Sequence, residues 1–241
     1  KSQFFNFEVI QLSTSSDFVS VALHEEELLS VNTISSKKNH TELIYEMIES
    51  QLTNADIDKN EIDGVILDVG PGYYTGMRIG LSVAQGLAAG LGIPIIPVSS
   101  LDALAFASFT GHRTIFSVVD IKRDEYAICS YKPVPGGVVK QIEPQVLKGK
   151  EILDALNEDR EKKLIVGSWG KIFKDGENID SHIKLANPTY VSAEHLYSVG
   201  KDSLLKAQYP SYAEVVLNYM REPDVSIPKE ALEKEINWSN G

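Results

Sequence analysis

Gly70, Gly72 and Gly76, followed by Arg78, come nearest in this chain to residues spaced for phosphate chemistry. A loop that cradles phosphate on its backbone amides ends in Gly-Lys-Ser/Thr, and here Gly76-Met77-Arg78 stands instead. Read as a dinucleotide fingerprint, the glycines are one residue out of register, with no acidic residue suitably placed after a second strand. Metal chemistry has equally little to work with. No two of His24, His40, His112, His182 and His195 fall at helical spacing, and His24-Glu25-Glu26-Glu27-Leu28 lacks the second histidine of a zinc protease. The lone thiol, Cys129, sits in a strand pattern, where a cysteine is more often buried than reactive, and Gly-x-Ser-x-Gly is absent. No catalytic residue and no metal ligand is assigned.

The elements that must position these residues follow from the same stretch. Gly70-Pro71-Gly72 marks a turn, and Thr75 is placed to cap a helix. In that helix Gly76, Gly80, Ala84 and Ala88 recur at one spacing and Ser82, Gly86 and Gly90 at the same spacing beside them. Each glycine costs roughly 0.5–1 kcal/mol in a helix interior. Burial of Met77, Ile79, Leu81, Val83, Leu87 and Leu91 has to offset that cost, which predicts a helix packed on more than one side. Pro94 and Pro97 bracket a short buried strand. The nearly uncharged run from 79 to 98 is long enough to span a membrane, but it carries those prolines and no flanking basic cluster, so no membrane segment is assigned.

Upstream, residues 4–12, 18–24 and 28–33 read as strands joined by short turns. A helix over 41–53 follows, with Asn39 as its cap and Leu43, Ile44, Met47, Ile48 and Leu52 at helical spacing. Downstream of the strand at 65–69, the glycine helix and the strand at 93–98, the theme recurs less clearly. Strands are expected at 114–121 and 126–131, with a third after a turn at 133–137, then a helix over 151–156, a strand at 164–166 and a helix over 193–207 begun by Ser192. This pattern establishes an α/β class. The chain of 241 residues, 43% hydrophobic and 24% charged, can bury a sizeable core in one domain or two lobes. The single cysteine excludes a disulfide framework, and the polar start KSQFFNFEVIQLS is not that of a signal peptide, so a cytoplasmic protein is expected. A net charge of −11, with 34 acidic against 23 basic residues, predicts that the chain does not hold nucleic acid of any kind by itself.

The run GPGYYTGMRIGLSVAQGLAAGLGIPIIPVSSLDALA resembles the GPGSFTGLRIG block of the bacterial TsaB (YeaZ) family, the non-catalytic partner in threonylcarbamoyl-adenosine modification of tRNA. Further matches occur in order along the chain. NHTELI resembles the family's segment at the start of the first helix, and Asp120 to Glu125 resembles DARxxEVY, with Lys122 where the family has arginine, or Arg123 shifted by one. Val166-Gly167-Ser168-Trp169-Gly170 resembles a glycine turn that approaches adenosine in nucleotide-binding relatives, although a plain strand-ending turn explains it equally well. Tyr219 and Arg221 keep part of a P-x-Y-L-R motif.

The resemblance implies an actin-like (ASKHA, ribonuclease H-like) two-lobe architecture: an N-terminal lobe over 1–110, a C-terminal lobe over 111–221 and a peripheral tail over 222–241. Active phosphotransferases of that fold carry an Asp with Gly at the first hairpin. Here Gln11 is read at that place, which speaks against a divergent actin-like kinase or ATPase, since an amide binds magnesium poorly. The peptidase label once carried by the superfamily (M22-like) finds no supporting constellation. The implied role is a catalytically silent scaffold, or pseudoenzyme, that pairs as a heterodimer with a TsaD-like catalytic subunit. The implied contact residues are His40, Leu43, Ile44 and Met47 on the first helix and Tyr74, Met77, Arg78, Leu81, Ala84, Gln85 and Ala88 on the glycine helix. Lys122, Arg123 and Glu125 are candidates for nucleotide or partner contact. The resemblance further implies a TsaE-like ATPase in the system and no cofactor of the chain's own but room for ATP or ADP at the partner interface; when the chain is alone, two-fold packing of the same small-residue face allows a homodimer. A homodimeric scaffold with an unrelated partner is the remaining alternative.

Overall fold

A computed structural model describes residues 7–35, 40–108, 110–173 and 179–221. Among these the first apolar runs form β1 (Val9–Ser13), β2 (Phe18–His24) and β3 (Leu28–Ser35), an antiparallel meander. Helix α1 (His40–Ala55) follows, then β4 (Gly64–Asp68), α2 (Tyr74–Leu91) and β5 (Ile95–Val98). The parallel strands β4 and β5 are added beside β1, giving the order β3-β2-β1-β4-β5. β1 and β4 are buried along their whole length, including the polar side chains of Gln11, Ser13 and Asp68, whereas β3 forms an exposed edge.

The second sheet repeats this plan. It contains β6 (Thr114–Asp120), β7 (Glu125–Val134), β8 (Gly137–Lys148), β9 (Lys163–Gly167) and β10 (Ile183–Leu185), with α4 (Gly149–Asn157) between β8 and β9. Its order, β8-β7-β6-β9-β10, is again an antiparallel meander followed by two parallel strands. Two such sheets make the α/β two-lobe, actin-like architecture.

The helices divide into layers. α1 and α2 cover one face of the first sheet, where Ile44, Met47, Val83 and Ala84 meet Ile10, Leu12, Val21 and Leu67. Its other face packs on α3 (Ser100–Ala107) and α5 (Tyr197–Leu205), and α3 also lies on the second sheet, so Val9, Ile66 and Ile96 share one core with Ile115, Val119 and Val166. α4 closes the far face of the second sheet through Ile152 and Leu156. After α5 the chain returns to the first lobe. Val215 and Leu217 enter the core under α1 and α2, and the Asn218 amide donates to the Val69 carbonyl at 2.8 Å.

Several expectations are corrected here. Thr75 lies inside α2; the residue before the helix is the extended Tyr73, which makes no side-chain cap, so the helix begins as soon as the chain leaves the turn at Gly70–Gly72. α3, capped by Ser99, is too short and too uniformly apolar to show helical periodicity, and it was not anticipated. The three-residue β10 is likewise too short to read. The helix expected over 193–207 is broken into a 3-10 turn at Ala193–Leu196, capped by Ser192, and then α5. The cap expected at Asn39, the start of the strand over 4–12 and the tail over 222–241 lie outside the described residues.

Candidate functional site

The carboxyl ends of β1, β4, β6 and β9 meet at one end of the boundary between the sheets, the place where open α/β sheets ordinarily carry ligands. Gln11 does not reach it. Its side chain lies buried in mid-strand, where Oε1 meets Nδ1 of His24 at 2.7 Å, and His24 stacks on Tyr197 at 4.2 Å. At the end of β1 the side chain present is Ser13, and the carboxylate beside it is Asp68, delivered by β4. Asp68 is fully buried and accepts from Ser13 Oγ at 2.8 Å, Ser15 Oγ and Ser100 Oγ at 2.5 Å each, and the Gly70 amide at 3.0 Å. Burial pushes its carboxyl up, and these hydrogen bonds work against that shift. Sequence reasoning missed this residue, although a carboxylate closing the apolar strand GVILD immediately before a Gly-Pro-Gly turn was a usable signal.

The glycine turn and α2 seal the site against the β1–β2 turn. A Cβ on Gly76 would fall on the Thr14 carbonyl oxygen, one on Gly72 on the Ser15 carbonyl oxygen and one on Gly80 on the Thr14 hydroxyl. The Tyr73 amide donates to the Ser15 carbonyl at 2.8 Å, and Thr14 Oγ1 donates to the Gly76 carbonyl at 2.8 Å. The glycines therefore admit the chain's own hairpin, in the place where a phosphate loop would admit a phosphate. Gly167 behaves similarly: its φ is +91°, and the Val118 carbonyl fills the space of any side chain, so the turn serves the close approach of β9 to β6. Among the described residues no group of His, Cys, Asp and Glu is arranged to hold a metal ion.

Beside Asp68, nearer solvent, is a polar cluster drawn from both lobes. Tyr73 Oη lies 3.2 Å from Asp120 Oδ2 and 3.3 Å from Asp17 Oδ2. Lys122 Nζ sits 3.4 Å from the centre of the Tyr73 ring and 3.6 Å from Asp17, its amide donates to Asp120 Oδ1 at 2.7 Å, and Lys171 pairs with Asp120. Burial acts to raise the Asp120 carboxyl, but the Lys171 ammonium and the Lys122 amide outweigh it and hold it below its usual range. Burial and the two carboxylates push the Tyr73 phenol far up, so it serves as a neutral donor. Lys122, Arg123 and Asp124 are consecutive left-handed residues, and Glu125 pairs with Arg221 at 3.7 Å.

The residues anticipated as a contact surface separate into two groups. Ile44, Met47, Met77, Ala84 and Ala88 are all buried in the chain's own core, so they support the helices from beneath and do not line a surface. The stripe Gly76, Gly80, Ala84 and Ala88 is thus used internally. The neighbouring stripe, Ser82, Gly86 and Gly90, faces outward, with Leu43 and Leu81 partly buried beside it. Tyr74, Arg78 and Gln85 are also on this outer side. Arg78 lies 4.3 Å over the Tyr74 ring and its Nε donates to Tyr219 Oη at 3.2 Å, the two tyrosine rings are 4.8 Å apart, and Gln85 donates to the Tyr212 carbonyl at 3.1 Å. His40 opens α1, but its side chain lies outside the described residues. Tyr212 and Tyr219, each 41% exposed, continue this face and were not anticipated as part of it, apart from the motif match at Tyr219.

Residues 27–213 match the family model described as "TsaD: tRNA N6-adenosine threonylcarbamoyltransferase". The tRNA threonylcarbamoyladenosine biosynthesis protein TsaB of Haemophilus influenzae is 36% identical over 123 residues, 50% of this chain and 52% of that protein. TsaB of Bacillus subtilis is 30% identical over 161 residues, 66% of this chain and 70% of that one. The chain belongs to the TsaB (YeaZ) family. The matched part spans about half the length of the Haemophilus protein. The fold agrees: a Pseudomonas aeruginosa structure titled as an uncharacterized protein with similarity to peptidase YEAZ superposes with a TM-score of 0.76 at 24% identity, covering 89% of this chain and 100% of that one. Within the TsaB family, the exposed stripe of α2 and the Tyr74–Arg78–Tyr219 group become the surface of first interest. Among the described residues no helix is long and apolar enough to cross a membrane.

Proposed function

We propose that this TsaB-family chain is an accessory scaffold in threonylcarbamoylation of the adenosine beside the tRNA anticodon, catalytically silent itself and paired with a TsaD-like catalytic paralogue. The observation that carries the reading is the outward stripe of α2: Ser82, Gly86 and Gly90 are bare enough for another helix to approach, and the preorganised Tyr74, Arg78 and Tyr219 stand at one end. Arg and Tyr anchors of this kind are enriched where partners bind most tightly. α1 contributes Leu43 and Tyr45 to the same side, Tyr45 being 41% exposed. Without the partner, the same face would pair two copies about a two-fold axis.

Catalytic silence is supported by the hairpin that fills the glycine cradle and by the hydrogen bonds of Asp68, which occupy both of its carboxyl oxygens within the chain. Any ATP or ADP, and contact with a TsaE-like ATPase, belong in this reading to the assembled complex, and tRNA is held by the partner because this chain carries a net charge of −11.

The test is co-purification with the TsaD-like protein of the same source, followed by a modification assay with tRNA, threonine, bicarbonate and ATP. Wild-type chain is expected to co-purify and to be required, and Gly86→Glu, on the exposed stripe, to lose both properties while staying folded. Full modification without the chain, or undiminished pairing of the Gly86→Glu variant, overturns the reading.

A further inference from the structure

The polar cluster at the crevice mouth has an unusual construction. Asp17 and Tyr73 come from the first lobe, from the turn after β1 and the residue before α2, whereas Asp120, Lys122 and Lys171 come from the second, from the end of β6, the turn after it and the turn after β9. Tyr73 has one proton to donate and two carboxylates within reach, one from each lobe. Lys122 also bridges the lobes, with its ammonium on the Tyr73 ring and near Asp17 and its amide on Asp120. The turn that carries it holds Lys122, Arg123 and Asp124 at φ of 76°, 60° and 57°, three left-handed residues in succession and none of them glycine. Such a conformation persists only where surrounding contacts over-determine it. Local bonds supply part of that constraint, Glu125 N to Lys122 O at 3.1 Å and Ile121 N to Glu125 O at 3.0 Å, and the bridge across the crevice supplies another part.

We infer that Tyr73, Asp17, Asp120 and Lys122 form a latch that fixes the two lobes in one relative arrangement and couples that arrangement to the outer face of α2. The coupling is direct in the chain. Tyr73 is the residue before α2, and Tyr74, the next residue, packs against Arg78 and Tyr219. Opening the latch frees Tyr73 to move, relaxes the strained turn at 122–124 and changes how Tyr74 and Arg78 are presented. The lobe arrangement and the affinity of the α2 face are then two readouts of one equilibrium. The second readout rests on the pairing proposed above, and the first does not.

Pulsed electron–electron resonance between nitroxides at Glu49 on α1 and Lys150 on α4, in the full chain carrying Cys129→Ser, measures the arrangement. The parent is expected to give one narrow distance distribution. Tyr73→Phe, which removes only the hydroxyl, and Lys122→Met, which removes only the charge, are each expected to broaden it or add a second distance at an unchanged circular dichroism spectrum. Should Tyr73→Phe prevent folding, Asp17→Asn at an exposed turn is expected to have the same effect. Distributions that stay narrow in the folded variants overturn the latch. Affinity for the TsaD-like partner is expected to fall roughly three- to tenfold in the same variants, the scale of coupling carried through packed elements. Broadened distances with unchanged affinity overturn the coupling. If the parent itself does not bind the partner, the pairing reading falls, and the distance measurement still decides the latch.

Discussion

His24 illustrates how a single buried residue sets a solution property. Its ring is 7% exposed, stacked on Tyr197 and tied to Gln11, and burial lowers its pKa from 6.5 to about 4. The unfolded chain therefore takes up a proton at this site below pH 6.5 that the folded chain refuses until about pH 4. The resulting stability is complete above the unfolded value and is lost as pH falls through that window. Since the ring keeps some contact with solvent, the loss is on the order of 1–2 kcal/mol, below what the full shift would give. Urea midpoints measured from pH 7.5 to 4.5 are expected to fall more steeply for the parent than for His24→Gln, and parallel curves would contradict this. The same residue explains why Gln11 does not stand at the crevice position that the sequence reading gave it. Gln11 has a polar partner within the sheet and is spent there, and Asp68 on the neighbouring strand occupies the spot beside Ser13. Strand pairing, which no local pattern encodes, decides which polar residue reaches the strand ends.

At the scale of elements, α2 was legible in outline because its small residues recur at helical spacing and its apolar residues lie between them. What spacing could not distinguish was which bare stripe faced inward. Gly76 meets the hairpin backbone at Thr14, whereas a Cβ on Gly90 would meet nothing within 4 Å. Opposite effects of the same substitution follow. Gly76→Ala is expected to destabilise the chain by about 1–3 kcal/mol or more, since the Thr14 carbonyl must move. Gly90→Ala is expected to stabilise it by about 0.5–1 kcal/mol through helix propensity. Thermal or urea unfolding of the two variants checks the pair, and a stabilising Gly76→Ala would show that the hairpin does not press on the helix. The long strands and α1 were read from periodicity for the same reason that α3 was not. SLDALAFA lies between two sheets, so apolar residues occupy most of its circumference, and in eight residues the sequence carries no period to detect.

At the scale of the molecule, the repeated sheet order suggests two lobes divided near residue 110, but the core does not respect that line. α3 shares its burial between the two sheets, α5 packs against β4 and β5, and the chain after it supplies Val215 and Leu217 to the core beneath α1 and α2. None of this is visible in a linear reading, because the segment from 192 to 218 is separated from its partners by the whole second sheet. A fragment of residues 1–110 would therefore expose one face of its sheet, where Val9, Ile66, Ile96 and Val98 meet α5 and the second lobe, and would lack two side chains of its other core. Exposed apolar surface on that scale favours association over a stable monomer. The fragment is expected to lack a cooperative unfolding transition or to aggregate. Adding residues 111–221 in cis restores both cores, and Leu217→Ala in the full chain is expected to cost about 2–4 kcal/mol, as for other buried leucines. A fragment that unfolded cooperatively at the midpoint of the full chain would make the first lobe an independent domain. The inter-lobe latch would then join two bodies that are each already stable, and the loss of Tyr73 or Lys122 would alter their arrangement with little effect on the midpoint. If the fragment fails to fold, the shared cores set the range over which the lobes can part, and the latch selects one arrangement within that range from the mouth of the crevice, where α2 begins.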